Sequence, residues 1–122
     1  MTSYPAPDLS LSVVVPCHNE AGALPLLLPR LLKVCGESVT KFEIILVDDG
    51  STDATWQAID HWAGQDQRIR GLTLARCYGQ QIALTAGLSV ARGDRILIID
   101  ADLQDPPELL PEMLQLMEHL RQ

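Results

Sequence analysis

Aromatic residues are scarce in this 122-residue chain, at 4%. So few rings cannot pave a stacking platform for single-stranded nucleic acid. Positive charge is scarce too. Nine Lys and Arg stand against sixteen Asp and Glu, a net charge of -7, which excludes non-specific binding to DNA, RNA or anionic lipid by this segment. A phosphorylated ligand would have to be met by backbone N–H groups or by a cation. No apolar run approaches the ~20 residues of a membrane span, because Pro25, Pro29 and Arg30 interrupt the Leu-rich stretch 24–32. Residues 1–10 carry neither a basic start nor an apolar core, so no signal peptide is read there. CxxC pairs are missing, and Cys17, Cys35 and Cys77 read as reduced thiols of a cytoplasmic protein. Cys17, His18 and Glu20, with no second cluster, make a weak zinc set.

What is present is a core supply of Leu, Ile, Val and Ala, with 47% hydrophobic residues overall. The length suits one compact domain over residues 9–122, preceded by a flexible tail at 1–8. Leu11–Val15, closed by Pro16, reads as a buried strand. Leu24, Leu27, Leu28, Leu31, Leu32 and Cys35 then recur at helical spacing, with Pro25 suited to a first turn, Pro29 disruptive and Gly36 a stop. Phe42–Val47 is a second strand, and Ser51 or Thr52 is placed to cap the helix after it. Strands at Gly71–Ala75 and Arg95–Ile99 flank a small-residue helix from Gln80 to Ala91. Pro106 and Pro107 open a last helix with Leu109, Leu110, Met113, Leu114, Met117 and Leu120 inward. Alternating apolar strands and helices predict a mainly parallel sheet covered on both faces, a Rossmann-like three-layer α/β/α sandwich with strand order 3-2-1-4.

Ligands of such sheets bind beyond the carboxyl ends of the strands. The strand ends carry the polar clusters: Pro16-Cys17-His18-Asn19-Glu20, Asp48-Asp49-Gly50-Ser51 and Asp100-Ala101-Asp102-Leu103-Gln104-Asp105. In an extended segment Asp100 and Asp102 point the same way. Two carboxylates aimed at one point repel unless a cation lies between them, and hard oxygen ligands with open positions suit Mg²⁺ or Mn²⁺. Asp48 and Asp49, at a buried strand end, need donors or a ligand to meet. Glu20 is placed for the same role; His18 lies at the crevice with no nucleophile beside it, and His61 is a solvated helix residue. Arg76, after the third strand, is a candidate contact for a phosphate or an acceptor.

These three clusters, in this order and spacing, resemble family 2 glycosyltransferases. The last stretch, with Ala83–Gly87 and Gly93-Asp94, is most similar to the polyprenyl-phosphate branch. The resemblance runs from about residue 9 to the end. It implies a GT-A fold and a nucleotide-diphosphate sugar donor, UDP- or GDP-linked. Pro16, His18, Glu20, Val47 and Asp49 would line the base and ribose pocket. Asp100, Ala101, Asp102 and Gln104 would handle the diphosphate, with Asp100 and Asp102 catalytic and Asp102 and Gln104 holding the metal. The implied reaction is inverting attack by a lipid phosphate on the anomeric carbon, at the cytoplasmic face of the membrane in full-length relatives. Cys77 stands where relatives more often show Asn and Phe before the Gly. The family's later sheet portion, its acceptor-binding basic residues and its membrane segments are not in this sequence. The expectation is therefore a truncated donor-binding portion, with a catalytically inactive nucleotide-sugar-binding fragment as the alternative. A receiver-type domain would need a Lys at a later strand end, and none follows Lys41; a dinucleotide fold would need a GxGxxG.

Overall fold

The computed structural model describes residues 10–102 and 106–120, with side chains as far as Met117. The predicted tail at 1–8 and residues Leu103, Gln104 and Asp105 lie outside the described residues.

Four strands form one parallel sheet: β1 (Ser10–Cys17), β2 (Lys41–Asp48), β3 (Ile69–Thr73) and β4 (Arg95–Ile98), in the order β3-β2-β1-β4. Helices α1 (Leu24–Ser38), α2 (Thr55–Gln65), α3 (Gln80–Val90) and α4 (Leu110–Leu120) intervene or follow, with a 3₁₀ turn at Pro107–Leu109 before α4. Parallel crossovers are right-handed, so the direction of travel across the sheet decides which face a helix covers. The chain moves one way from β1 to β3, and α1 and α2 fall on one face. It then doubles back past β1 to reach β4, and α3 falls on the other. The fold is the predicted three-layer α/β/α arrangement.

Alternation along the strands divides the core accordingly. Leu11, Val13, Val15, Ile44, Leu46 and Leu97 pack with Leu24, Leu27, Leu28 and Leu31 of α1, Ile59 of α2, and Leu110 and Leu114 of α4. Val14, Ile45 and Val47 pack with Ala83 under α3. That second layer leaves β4 uncovered, so Ile96 is 38% and Ile98 44% exposed.

Several element ends differ from expectation. Pro16 does not close β1, which continues to Cys17. The carbonyl of Val14 accepts the Ile99 N–H at 3.1 Å, so Pro16, two residues on, faces the same side just past the end of β4. Its missing N–H costs nothing there. Pro29 lies inside α1, and the helix runs through Gly36 to Ser38. The carbonyl that Pro29 cannot serve is that of Pro25, and both residues are exposed to water. Neither Ser51 nor Thr52 caps α2. The helix begins at Thr55, whose N–H is accepted by Asp53 at 2.9 Å. Leu109 is not inward: it belongs to the 3₁₀ turn, outside the α4 periodicity, and is exposed.

Candidate active site

The reversal of strand order falls between β1 and β4, and a crevice opens there at their carboxyl ends. Its walls are Pro16 and Cys17 at the end of β1, His18 and Glu20 just after it, Asp49 after β2, Gln80 at the start of α3, and Asp100, Ala101 and Asp102 after β4. All of these except Gln80 are site or strand-end residues expected from the sequence. The chain turns at Ala101–Asp102 instead of staying extended, yet both carboxylates still line the crevice. Val47 is not among the lining residues. Its side chain is fully buried in the layer beneath α3. Gln104 lies outside the described residues.

The loop after β1 is bolted to the loop after β2. Asn19 takes a left-handed backbone, φ 55°, a conformation Asn tolerates better than most residues. There its side-chain oxygen accepts the N–H of Thr52 at 2.8 Å and of Asp53 at 3.3 Å, while its own N–H donates to the Ser51 hydroxyl at 2.9 Å. The Glu20 N–H donates to the Thr55 hydroxyl at 2.8 Å. Ser51 and Thr52, the expected helix caps, are thus spent on joining loops. This role of Asn19 was not read from sequence; a non-glycine residue with polar reach in a proline-bounded strand-end loop is its only signal.

Asp48 and Asp49 are both buried, and each has internal donors. Asp48 accepts the Ser51 N–H at 3.1 Å and the Thr73 hydroxyl at 3.1 Å. Asp49 accepts the N–H groups of Tyr78 at 2.8 Å and Gly79 at 3.1 Å, and the Cys77 thiol at 3.6 Å. Its carbonyl is 2.8 Å from Nδ1 of His18. Arg76, the candidate phosphate contact, lies over the Tyr78 ring at 5.1 Å.

Electrostatics set the character of the crevice. The Glu20 carboxyl is pushed above the usual carboxylate range, first by burial and then by the charges of Asp102, Asp53 and Asp100. Opposite, Gln80 reaches Asp100 with its amide at 3.2 Å. Negative charge therefore accumulates from two strand ends with Glu20 in its field, and hard oxygen donors of this kind fit a divalent cation such as Mg²⁺ or Mn²⁺. Asp100 and Asp102 line this crevice after β4.

The family profile of glycosyl transferase family 2 matches residues 12–122. The chain belongs to glycosyltransferase family 2. Within that family it is 42% identical over 110 residues to an undecaprenyl-phosphate 4-deoxy-4-formamido-L-arabinose transferase of Aeromonas hydrophila, covering 88% of this chain and 34% of that protein. A protein of the same description from Pseudomonas aeruginosa is 43% identical over 116 residues, covering 94% and 34%. The family 2 chain thus spans about a third of the length of the curated relatives it matches. Its fold matches that of a mannosyltransferase from Pyrobaculum calidifontis in complex with GDP-Man and Mn²⁺, with TM-score 0.68 and 26% identity over 84% of this chain and 35% of the other. It also matches S. aureus TarS in complex with UDP-GlcNAc, with TM-score 0.63 and 28% identity over 77% and 27%. No helix among the described residues is long and apolar enough to cross a membrane.

Proposed function

We propose that residues 9–122 are the donor-binding portion of an inverting glycosyltransferase that moves a sugar from a UDP- or GDP-sugar to a polyprenyl phosphate. The observation that carries this reading is the meeting of Glu20, Asp100 and Asp102 in one crevice at the strand-order reversal. The chemistry of the related transferases, and the GDP-Man, UDP-GlcNAc and Mn²⁺ of the structural neighbours, support it. Free Cys17, Cys35 and Cys77 fit a reducing compartment, which in this reading is the cytoplasmic face of a membrane, where full-length relatives would work.

In this reading Pro16, His18, Glu20, Val47 and Asp49 form the nucleoside side of the crevice, Val47 through the backbone beneath its buried side chain. Asp100, Ala101, Asp102 and Gln104 form the diphosphate side. Asp100 and Asp102, with Gln104, would hold a divalent ion, which supplies Lewis-acid neutralisation of the departing nucleoside diphosphate. The carboxylates orient the diphosphate so that the anomeric carbon faces the acceptor side. A phosphate acceptor is already anionic at neutral pH, so no strong general base is required of these residues.

Titration with UDP- and GDP-sugars tests the binding half. Binding is expected only with Mg²⁺ or Mn²⁺ present, and Asp102→Ala is expected to remove both the binding and its metal dependence. Equal affinity in the presence of chelator would defeat the metal bridge. A second reading of the same crevice is nucleotide-sugar binding without turnover. Labelled-sugar transfer to a polyprenyl phosphate by the 122 residues alone would overturn that one.

A further inference from the structure

We propose that His18, Asp49 and Cys77 form a binding site for a thiophilic divalent ion of the zinc class, distinct from the acidic pair at Asp100 and Asp102. A ring nitrogen of His18, a carboxylate oxygen of Asp49 and Sγ of Cys77 all lie within 4.8 Å of one another. The three residues follow three different strands, β1, β2 and β3, so the fold and not a short motif brings them together. Imidazole, carboxylate and thiolate are each ordinary zinc ligands, and three protein ligands with an open fourth position is a recurrent zinc arrangement.

Two details of the geometry suit an ion. Cys77 Sγ is 3.6 Å from the Asp49 carboxylate. For a tetrahedral ion with sulfur and oxygen bonds of about 2.3 and 2.0 Å, the sulfur–oxygen edge is about 3.5 Å. His18 supplies the second detail. Its Nδ1 faces the Asp49 carbonyl at 2.8 Å, and a carbonyl only accepts, so in the neutral ring Nδ1 carries the hydrogen and Nε2 keeps its lone pair. Ligating histidines are commonly oriented by this kind of hydrogen bond to a backbone carbonyl.

Asp49 is 4% exposed and held by the loop it anchors, whereas His18 and Cys77 are exposed. Contraction around an ion therefore falls to the two exposed side chains. Binding forms an S–metal bond and breaks the Cys77 S–H bond, with the proton passing to solvent and no change of oxidation state. Sulfur separates this site from its neighbour: Mg²⁺ prefers the all-oxygen pair, and Zn²⁺, Cd²⁺ or Co²⁺ the mixed set. An ion here ties the loop after β3 to the loop after β1 across Asp49.

The test uses the metal-free 122-residue protein without nucleotide, so its outcome is independent of the donor-binding reading. Co²⁺ is expected to produce a thiolate-to-metal charge-transfer band, and Zn²⁺ to abolish it by displacement. Zn²⁺ is also expected to slow alkylation of Cys77 by iodoacetamide about tenfold or more, since the metal-bound thiolate is no longer free to attack. Peptide mass spectrometry separates Cys77 from the buried Cys17 and Cys35. Cys77→Ser should remove the band, His18→Ala should weaken Co²⁺ binding about tenfold or more, and Asp102→Ala should leave the band intact. Both ligand positions are exposed, so these variants keep the fold. Absence of the band, an alkylation rate that ignores Zn²⁺, or Co²⁺ affinity unchanged in His18→Ala would each overturn the proposal.

Discussion

Asp49 holds Tyr78: a carboxylate oxygen of the one accepts the backbone N–H of the other at 2.8 Å. The bond reaches from the end of β2 to the loop before α3, and Gly79 adds a second N–H to the same carboxylate. A buried acid can be tolerated here because backbone donors meet it.

Replacing that acid strands two N–H groups. Asp49→Ala is expected to cost about 1–3 kcal/mol, read from the urea midpoint. Amide exchange at Tyr78 and Gly79 should accelerate before the rest of the sheet responds. An unchanged midpoint with unchanged protection would show that the loop does not depend on Asp49.

Gly50 lies in the same turn, at φ +63°, and a Cβ there would meet Cys77 N at 2.2 Å and Arg76 C at 2.4 Å. Backbone cannot step aside as a flexible side chain can. Gly50→Ala should therefore destabilise by roughly 2 kcal/mol or more. Gly36→Ala makes the opposite case: a Cβ at this exposed site inside α1 meets nothing within 4 Å, and a gain of about 0.5–1 kcal/mol is expected. Thermal melting of the two variants should move in opposite directions.

Glu43 sets a pH dependence remote from the crevice. Burial raises its carboxyl, but the Ser12 hydroxyl, the Arg92 N–H and the Arg70 guanidinium together outweigh burial and bring it below the usual carboxylate range. A carboxyl depressed by folding contributes stability that is fully present above its unfolded value and is lost as pH falls through its folded value. Glu43→Gln should lose roughly 1–3 kcal/mol at neutral pH, and the difference from the parent should shrink on acidification. A constant difference down to the lowest pH at which the protein folds would contradict this assignment.

Exposed side chains on β4 predict behaviour in solution. Ile96 and Ile98 leave apolar surface on a strand whose one sheet neighbour among the described residues is β1, a combination that favours edge-to-edge association. Ile98→Lys should delay aggregation at high concentration, measured by light scattering, while changing stability by no more than about 0.5 kcal/mol. Unaltered aggregation would place the sticky surface elsewhere.

Much of this architecture was legible because burial on both faces forces parallel strands to be continuous apolar runs, as in Val13-Val14-Val15 and Ile44-Ile45-Leu46-Val47. The positions of the acids at strand ends followed from the same logic. Element ends were less legible. Pro16 stays in its strand because of where β4 stops, and Pro29 is allowed in its helix because the carbonyl it orphans faces water. Both outcomes depend on neighbours that no local pattern names. Ser51 and Thr52 had the chemistry of caps, but Asn19, 32 and 33 residues away, claimed them first.

The order of apolar and polar residues by itself determined that strands and helices alternate, that the sheet is parallel and that acidic groups gather at its carboxyl end. Those properties depend on periodicity and desolvation, which act over a few residues. Only the tertiary structure decided that Asp49 is satisfied by the Tyr78 loop, that Val47 turns into the core, and that Cys77 comes to rest beside His18 and Asp49. Each of these depends on which distant backbone arrives within hydrogen-bonding distance, and that is settled by the direction in which the chain crosses the sheet.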